Sequence, residues 1–265
     1  EDLEKKGVVF IEDITDVPMN SIIIYSAHGV SIEVKNDAKN RNLKIFDATC
    51  PLVTKVHIEV HKYSKEGVDV VLIGHKGHPE IEGTMGQYDS PIGKIHLVEN
   101  VQDISALDID NTKVAYVTQT TLSMDDTKDI IKNLIKKFPD IMSPAKSDIC
   151  YATQNRQDAV KSILKYCDYL LVIGSVNSSN SRRLVELALK NKIPSKLIDS
   201  YHDINLIKLK GKKTIGITAG ASAPQILLDQ VTEYLIDKGA VMNKISKEGI
   251  KENITFSMPK ELRNL

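Results

Sequence analysis

Hydrophobic and polar positions alternate along the chain in a way that predicts short buried strands separated by helices. Runs of apolar, β-branched residues predict strands at 8–11, 21–25, 68–73, 114–117, 169–173 and 214–217. Apolar residues that recur three and four positions apart predict helices at 32–42, 50–64, 124–138, 155–165, 181–190 and 224–238. Strands that alternate with helices are typical of βαβ units with parallel sheets, so the predicted fold class is α/β.

The same landmarks recur at a spacing of 100 residues. Cys50 and Cys150 begin the two copies. At 24 and 68 residues after each cysteine, just past apolar runs, the matched residues are Gly74 with Gly174 and Thr118 with Thr218. A period this long indicates duplicated domains rather than a solenoid. The repeat also places polar residues of different types at equivalent positions around one possible centre.

The first part of the chain resembles an incomplete third copy. The strand at 21–25 and the turn Ser26-Ala-His28 match the element found 68 residues after each cysteine, but the cysteine of this copy would precede residue 1. We therefore expect an N-terminal segment to be missing and three pseudo-equivalent α/β lobes with small, mostly parallel sheets. The predicted domains are 1–49, the remainder of the first lobe, 50–149, the second lobe, and 150–265, the third lobe with its tail. Residues 252–265 are expected to form an extended strand that packs onto an earlier lobe.

Composition narrows the range of partners and compartments. The 265 residues carry no net charge, and 42% are hydrophobic, which gives no indication of a nucleic-acid or membrane partner. The longest apolar runs have about six residues, against the ~20 needed to span a bilayer. Three cysteines do not make a disulfide framework, so a reducing, cytoplasmic location is expected.

Small polar residues gather where predicted strands end and helices begin, which is where open α/β sheets bind ligands. Five hydroxyl or amide residues occupy 177–181, including Ser178, Ser179 and Asn180. A helix cap needs only one such residue, so the cluster predicts an anion site at a helix N-terminus. Ser222, two residues before Pro224, fits the same phosphate-sized ligand, although alone it is typical of a helix cap.

The turn at 74–80 carries two histidines and an acid. The repeat places His78 and Glu80 at the positions of Ser178 and Asn180. A histidine can bind phosphate as a cation or relay a proton, and a carboxyl group in a partly dry pocket can donate one. The alternative is a zinc site formed by His75 and His78, which still needs a third ligand.

The cysteines predict a metal centre. Cys50 and Cys150 lie near the starts of equivalent helices, where thiolates are favoured, and thiolate ligands select iron–sulfur clusters or zinc. The alternative is that each is a small buried hydrophobic residue. Cys167 corresponds to Gly67 in the repeat and is interpreted as structural.

Together these motifs resemble the 4-hydroxy-3-methylbut-2-enyl diphosphate reductases, the IspH/LytB family. The resemblance covers essentially the whole chain and rests on Ser26-Ala-His-Gly-Val-Ser, Asp47-Ala-Thr-Cys-Pro-Leu-Val, Gly74-His-Lys-Gly-His-Pro-Glu80, Thr118-Gln-Thr-Thr-Leu-Ser, Asp148-Ile-Cys-Tyr-Ala-Thr, Asn177-Ser-Ser-Asn-Ser and Thr218-Ala-Gly-Ala-Ser-Ala-Pro. It implies three lobes around a 4Fe-4S cluster that is held by one cysteine from each lobe. Cys50 and Cys150 would be two of these ligands, and the third would lie in an N-terminal segment.

The resemblance also implies the roles of the polar residues. The substrate diphosphate would bind His28, His78, Ser178, Ser179, Asn180 and Ser222, and the substrate hydroxyl would coordinate the open iron. Electrons would come from a ferredoxin or flavodoxin, and Glu80, oriented with help from Thr120, would deliver protons. Isopentenyl and dimethylallyl diphosphate would form. A zinc-dependent hydrolase and a cluster-free diphosphate-binding protein are the alternatives.

Overall fold

A computed structural model of the chain describes residues 2–110, 112–243 and 253–258. The strands are β1 (Ile22–Tyr25), β2 (Lys44–Asp47), β3 (Asp69–Ile73), β4 (Ile95–Val98), β5 (Val114–Thr118), β6 (Tyr169–Ile173), β7 (Ser195–Ile198) and β8 (Ile215–Ala219). The helices are α1 (Asp2–Lys5), α2 (Ile32–Asn40), α3 (Pro51–Lys65), α4 (Pro79–Met85), α5 (Met124–Lys137), α6 (Tyr151–Ile163), α7 (Ser179–Lys190), α8 (Leu206–Leu209) and α9 (Gln225–Asp237).

The strands form three small parallel sheets, which confirms the predicted α/β class. Their orders are β1-β2, β4-β3-β5 and β7-β6-β8. The second and third sheets have the same order, and their middle strands, Asp69–Ile73 and Tyr169–Ile173, lie 100 residues apart in the chain. The register agrees for one strand pair, because Ile73 pairs with Val98 and Ile173 with Ile198. In the other pair it is shifted by one residue, because Ile73 pairs with Thr118 whereas Ile173 pairs with Ala219. The internal repeat is therefore present in the fold.

The described chain divides into two compact units. Of the described residues, the first unit holds 2–110, 112–119, 132–148 and 255–258 and contains the sheets β1-β2 and β4-β3-β5. The second unit holds 120–131, 149–243 and 253–254 and contains the sheet β7-β6-β8. The division into lobes at 1–49, 50–149 and 150–265 stays a prediction. In the described ranges, no helix has both the length and the apolar character required to cross a membrane.

The middle strand of the third sheet is buried on both faces. One face packs Leu170 and Val172 against α6 and α7 through residues such as Leu184. The other face packs Leu171 and Ile173 against α9. Because both faces are covered, every position of this strand is apolar and the strand reads as one continuous hydrophobic run.

Strands β2, β4 and β7 and helix α4 were not predicted, and three of the predicted features differ from the structure. The prediction of a strand at 8–11 is wrong, because these residues form no strand. Val9 and Phe10 are 77% and 66% exposed, with no sheet face to cover them. Helices α6 and α7 begin earlier than predicted, because Cys150 and Ser178 act as their N-caps. In the expected tail strand, residues 253–258 are exposed and have no strand, and the rest of 252–265 lies outside the described residues.

Candidate active site

The turn between β6 and α7 presents buried polar atoms at a helix N-terminus. Ser178 caps α7, while Ser179 and Asn180 are only 4% and 5% exposed. The Oγ of Ser179 and both Oδ1 and Nδ2 of Asn180 are buried without a hydrogen-bond partner among the described residues. A buried polar atom without a partner costs roughly 1–3 kcal/mol. An anion at this helix N-terminus would satisfy the donors and interact favourably with the helix dipole.

The turn after β8 approaches the same helix start. The amide of Gly220 donates to the carbonyl of Ile173 at 2.8 Å. A Cβ built on Gly220 would lie 2.1 Å from the Oγ of Ser181, so only glycine allows this approach. The predicted ligand residue Ser222 follows in this turn and is exposed. Within the second unit, Ser178, Ser179 and Asn180 are therefore consecutive at one helix start, with the turn of Ser222 beside it.

The equivalent turn of the first unit carries different chemistry. His78 caps α4, and its Nδ1 accepts the amide proton of Glu80 at 3.1 Å. Glu80 is 3% exposed. The His28 ring contacts the His78 ring edge to face, with centroids 5.4 Å apart. Desolvation lowers the pKa of the His28 imidazole. The structure thus brings three of the predicted residues together within this unit.

Each register-matched cysteine caps a helix and is tied by its own amide to a turn. The amide of Cys50 donates to the carbonyl of Ala27 at 3.0 Å, next to His28. In the second unit, the amide of Cys150 donates to the carbonyl of Thr120 at 2.9 Å. Both thiols are half-buried and unpaired as disulfides. Their caps begin helices of 15 and 13 residues, and helix N-termini favour thiolates.

Cys167 lies in a different environment. It is 8% exposed and packs in the core with Val160, Leu164 and Leu170. Burial raises the pKa of its thiol. The structural role predicted for Cys167 agrees with this position.

Two buried groups near the site were missed from the sequence. The Oε1 of Gln119 accepts the amide proton of His75 at 3.1 Å, and Gln119 is 1% exposed. The carboxylate of Asp148 accepts the amide proton of Thr118 and pairs with the Lys55 ammonium, each at 3.0 Å. Burial raises the pKa of Asp148, and Lys55 opposes that shift. Gln119 lies inside the motif Thr118-Gln-Thr-Thr-Leu-Ser, which could have identified it. The pairing of Lys55 with Asp148 has no local sequence signature.

The donors for a metal are incomplete in the described part of the chain. Across residues 2–110, 112–243 and 253–258, no group of three or more His, Cys, Asp or Glu side chains is placed to hold a metal ion. The zinc alternative therefore lacks the third ligand that it needs beside His75 and His78. Each of the thiols of Cys50 and Cys150 is half-buried at the N-cap position of a helix, and a thiolate is the ligand that iron–sulfur clusters use.

Comparison with known proteins gives consistent matches. The model of the LytB protein family matches residues 1–236. Two relatives, both called 4-hydroxy-3-methylbut-2-enyl diphosphate reductase, come from Mannheimia succiniciproducens and Ectopseudomonas mendocina. The first is 55% identical over 98% of this chain and 83% of its own length. The second is 57% identical over 99% of this chain and 84% of its own length.

Two solved structures are also similar. The E-1-hydroxy-2-methyl-but-2-enyl-4-diphosphate reductase from Plasmodium falciparum superposes with a TM-score of 0.88 at 40% identity, covering 98% of this chain and 81% of that one. A structure of (E)-4-hydroxy-3-methyl-but-2-enyl diphosphate reductase, described as the terminal enzyme of the non-mevalonate pathway, gives a TM-score of 0.60 at 30% identity, covering 89% and 83%.

Proposed function

The chain belongs to the LytB protein family, and on that premise we propose that it is a reductase of 4-hydroxy-3-methylbut-2-enyl diphosphate. The reaction takes two electrons and two protons, breaks the C–O bond of the substrate hydroxyl, and releases water with isopentenyl or dimethylallyl diphosphate. It is the last step of the non-mevalonate isoprenoid pathway. Relatives above 50% identity that span nearly the whole chain support this assignment.

The observation that carries the proposal is the set of unsatisfied polar atoms at the start of α7. Ser179 and Asn180 bury a hydroxyl and a whole amide group without partners among the described residues. Neutral donors at a helix N-terminus suit a diphosphate, because they bind its oxygens without adding titratable charge. The proposed substrate-binding residues are His28, His78, Ser178, Ser179, Asn180 and Ser222.

His78 has a defined tautomer when it is neutral. Its Nδ1 accepts the amide proton of Glu80, so the ring proton is on Nε2 and can be donated to a phosphate oxygen.

Glu80 is the proposed proton donor, and Thr120 is the second proposed catalytic residue. A hydroxyl is a poor leaving group, and a positioned general acid lets it leave as water. Glu80 is almost fully buried, which protects such a step from competing proton exchange with bulk water.

The family resemblance implies a 4Fe-4S cluster, for which Cys50 and Cys150 would be ligands. When bound, such a cluster supplies single electrons and a Lewis-acidic iron. A ferredoxin or flavodoxin is the proposed electron donor, and the cytoplasm is the proposed compartment.

The test is turnover by the full protein after anaerobic reconstitution with iron and sulfide. With dithionite and methyl viologen as reductant, we expect both isomeric diphosphate products, which proton NMR distinguishes. Glu80→Gln should lower kcat by roughly 10²–10⁴-fold, the usual contribution of a general acid. Glu82→Gln, on the exposed face of the same helix, is the matched control and should leave kcat unchanged.

Two outcomes would overturn the proposal. Colourless protein that holds stoichiometric zinc and reduces no substrate would favour the hydrolase. Protein that binds the diphosphate but takes up no iron would favour a cluster-free binding protein.

A further inference from the structure

The hydroxyl of Ser178 receives two hydrogen bonds from one residue. The amide of Ser181 donates to the Ser178 Oγ at 3.3 Å, and the Ser181 hydroxyl donates to the same atom at 3.0 Å. A serine hydroxyl has two acceptor lone pairs and one proton. Because Ser181 occupies both lone pairs, Ser178 can form a further hydrogen bond only by donating its proton.

The Ser181 side chain has little freedom to turn away. Ser181 is fully buried, at 0% exposed. A Cβ built on Gly174 or on Gly220 would lie 2.2 Å or 2.1 Å from its Oγ. The side chain therefore sits between the turns that follow β6 and β8, in space that exists only because both turns carry glycine. Close packing on both sides holds the hydroxyl in the direction of Ser178.

The repeat shows that packing alone does not require a hydroxyl here. The equivalent residue in the first unit is Ile81, which lies against Gly74 in the same way, 2.1 Å from a Cβ built there. The residue equivalent to Ser178 is His78, whose Nδ1 is already held by the amide of Glu80. An apolar side chain thus fills this position where no hydroxyl needs to be oriented.

We infer that Ser181 is a positioning residue that makes Ser178 an obligate hydrogen-bond donor to the substrate's diphosphate. The inference rests on the proposed function and assigns no contact with substrate to Ser181 itself. Without the Ser181 hydroxyl, the Ser178 proton can rotate into the vacated position, and the anion loses part of an oriented donor.

The test is a double-mutant cycle on the full protein, with inorganic pyrophosphate as the probe and calorimetry as the assay. Ser178→Ala removes a hydrogen bond to a charged group, so we expect Kd to rise roughly tenfold or more. Ser181→Ala should raise Kd roughly three- to tenfold. In the Ser178→Ala background, the same Ser181→Ala change should have no further effect, because Ser181 acts only through Ser178.

Controls separate positioning from general damage. Ser195→Ala removes another buried hydroxyl of the second unit and should leave the affinity unchanged. In turnover, Ser181→Ala should raise KM for the diphosphate substrate and leave kcat near wild type. This is the result expected when the substrate and the transition state lose the same binding energy. Thermal unfolding of each variant checks the fold, and Ser181→Cys provides a second variant of nearly native volume with a weak donor.

The outcomes also distinguish the inference from the function on which it rests. Additive effects of the two alanine changes, or unchanged affinity in both Ser181 variants, would overturn the positioning role and leave the reductase proposal intact. Full pyrophosphate affinity in Ser178→Ala would instead contradict the proposed diphosphate site.

Discussion

His57 makes the stability of this protein depend on pH. It lies on α3, 5% exposed, and a Cβ built on Gly29 would be 2.5 Å from its Cε1. Burial lowers the pKa of the imidazole from 6.5 to about 4, the Lys35 charge adds to the effect, and Asp47 opposes it. The ring is therefore neutral in the folded protein at neutral pH.

The sign and size of the effect follow from proton linkage. Between pH 6.5 and about 4, the unfolded state binds a proton on His57 that the folded state does not. The contribution of His57 to the free energy of unfolding is thus fully present above pH 6.5 and is lost as the pH falls towards 4. At about 1.4 kcal/mol per pH unit, the loss reaches about 2.5 kcal/mol by pH 4.5.

The assay is urea unfolding of wild type and His57→Gln from pH 7.5 to 4.5. The variant should be less stable at pH 7.5 because packing is lost. The difference in unfolding free energy between wild type and variant, the stability gap, should then change by about 2.5 kcal/mol in favour of the variant by pH 4.5, since glutamine binds no proton. Val60→Ala, fully buried on the same helix, is the control with a gap independent of pH. A His57→Gln gap as constant as that of Val60→Ala would refute the reasoning.

Three further predictions concern other side chains. Lys55→Met leaves the carboxylate of Asp148, whose side chain is 0% exposed, without its cation and should lower the free energy of unfolding in urea by about 2 kcal/mol. This loss is less than the ~3–5 kcal/mol of a fully buried pair because Lys55 is partly solvated. Adding Asp148→Asn should restore most of the lost free energy, and a Lys55→Met variant as stable as wild type would refute this account. Leu184→Ala in the core of the third sheet, at 0% exposed, should cost about 2–5 kcal/mol in thermal unfolding analysis, and a smaller loss would mean that the site collapses. Cys150→Ser should lower the iron bound per protein after reconstitution while Cys167→Ser leaves it unchanged, so equal losses would contradict the separate roles of the two thiols.

Strands with a long apolar run could be predicted from the sequence, including the edge strands β5 and β8, whereas the edge strands β4 and β7 could not. The middle strands β3 and β6 are buried at every position, and apart from Asp69 at the start of β3 all their residues are apolar. The edge strands β4 and β7 have four residues each, three of them only half-buried, so their signal is weak. The stretch 8–11 shows the opposite error, because its apolar run is exposed in the structure and a run alone does not specify what covers it.

The positions of the candidate site could be predicted, but its internal geometry could not. Strand ends and the repeat identified the turns that carry Ser178 and His78, because ligand residues follow strands in this fold class. The orientation of Ser178 by Ser181 depends on two glycines in separate turns. The Lys55–Asp148 pair joins residues 93 positions apart. Neither arrangement leaves a local pattern, so only the folded chain reveals them.

The amides of Cys50 and Cys150 illustrate how a duplicated gene can diverge without losing its framework. Each amide reaches a carbonyl oxygen, of Ala27 in one copy and Thr120 in the other. Such a bond uses main-chain groups alone and places no demand on the side chain at either turn. The side chains at these turns can therefore differ in chemistry, with imidazole beside one bond and hydroxyl at the other, while the main chain holds each cysteine in the same way.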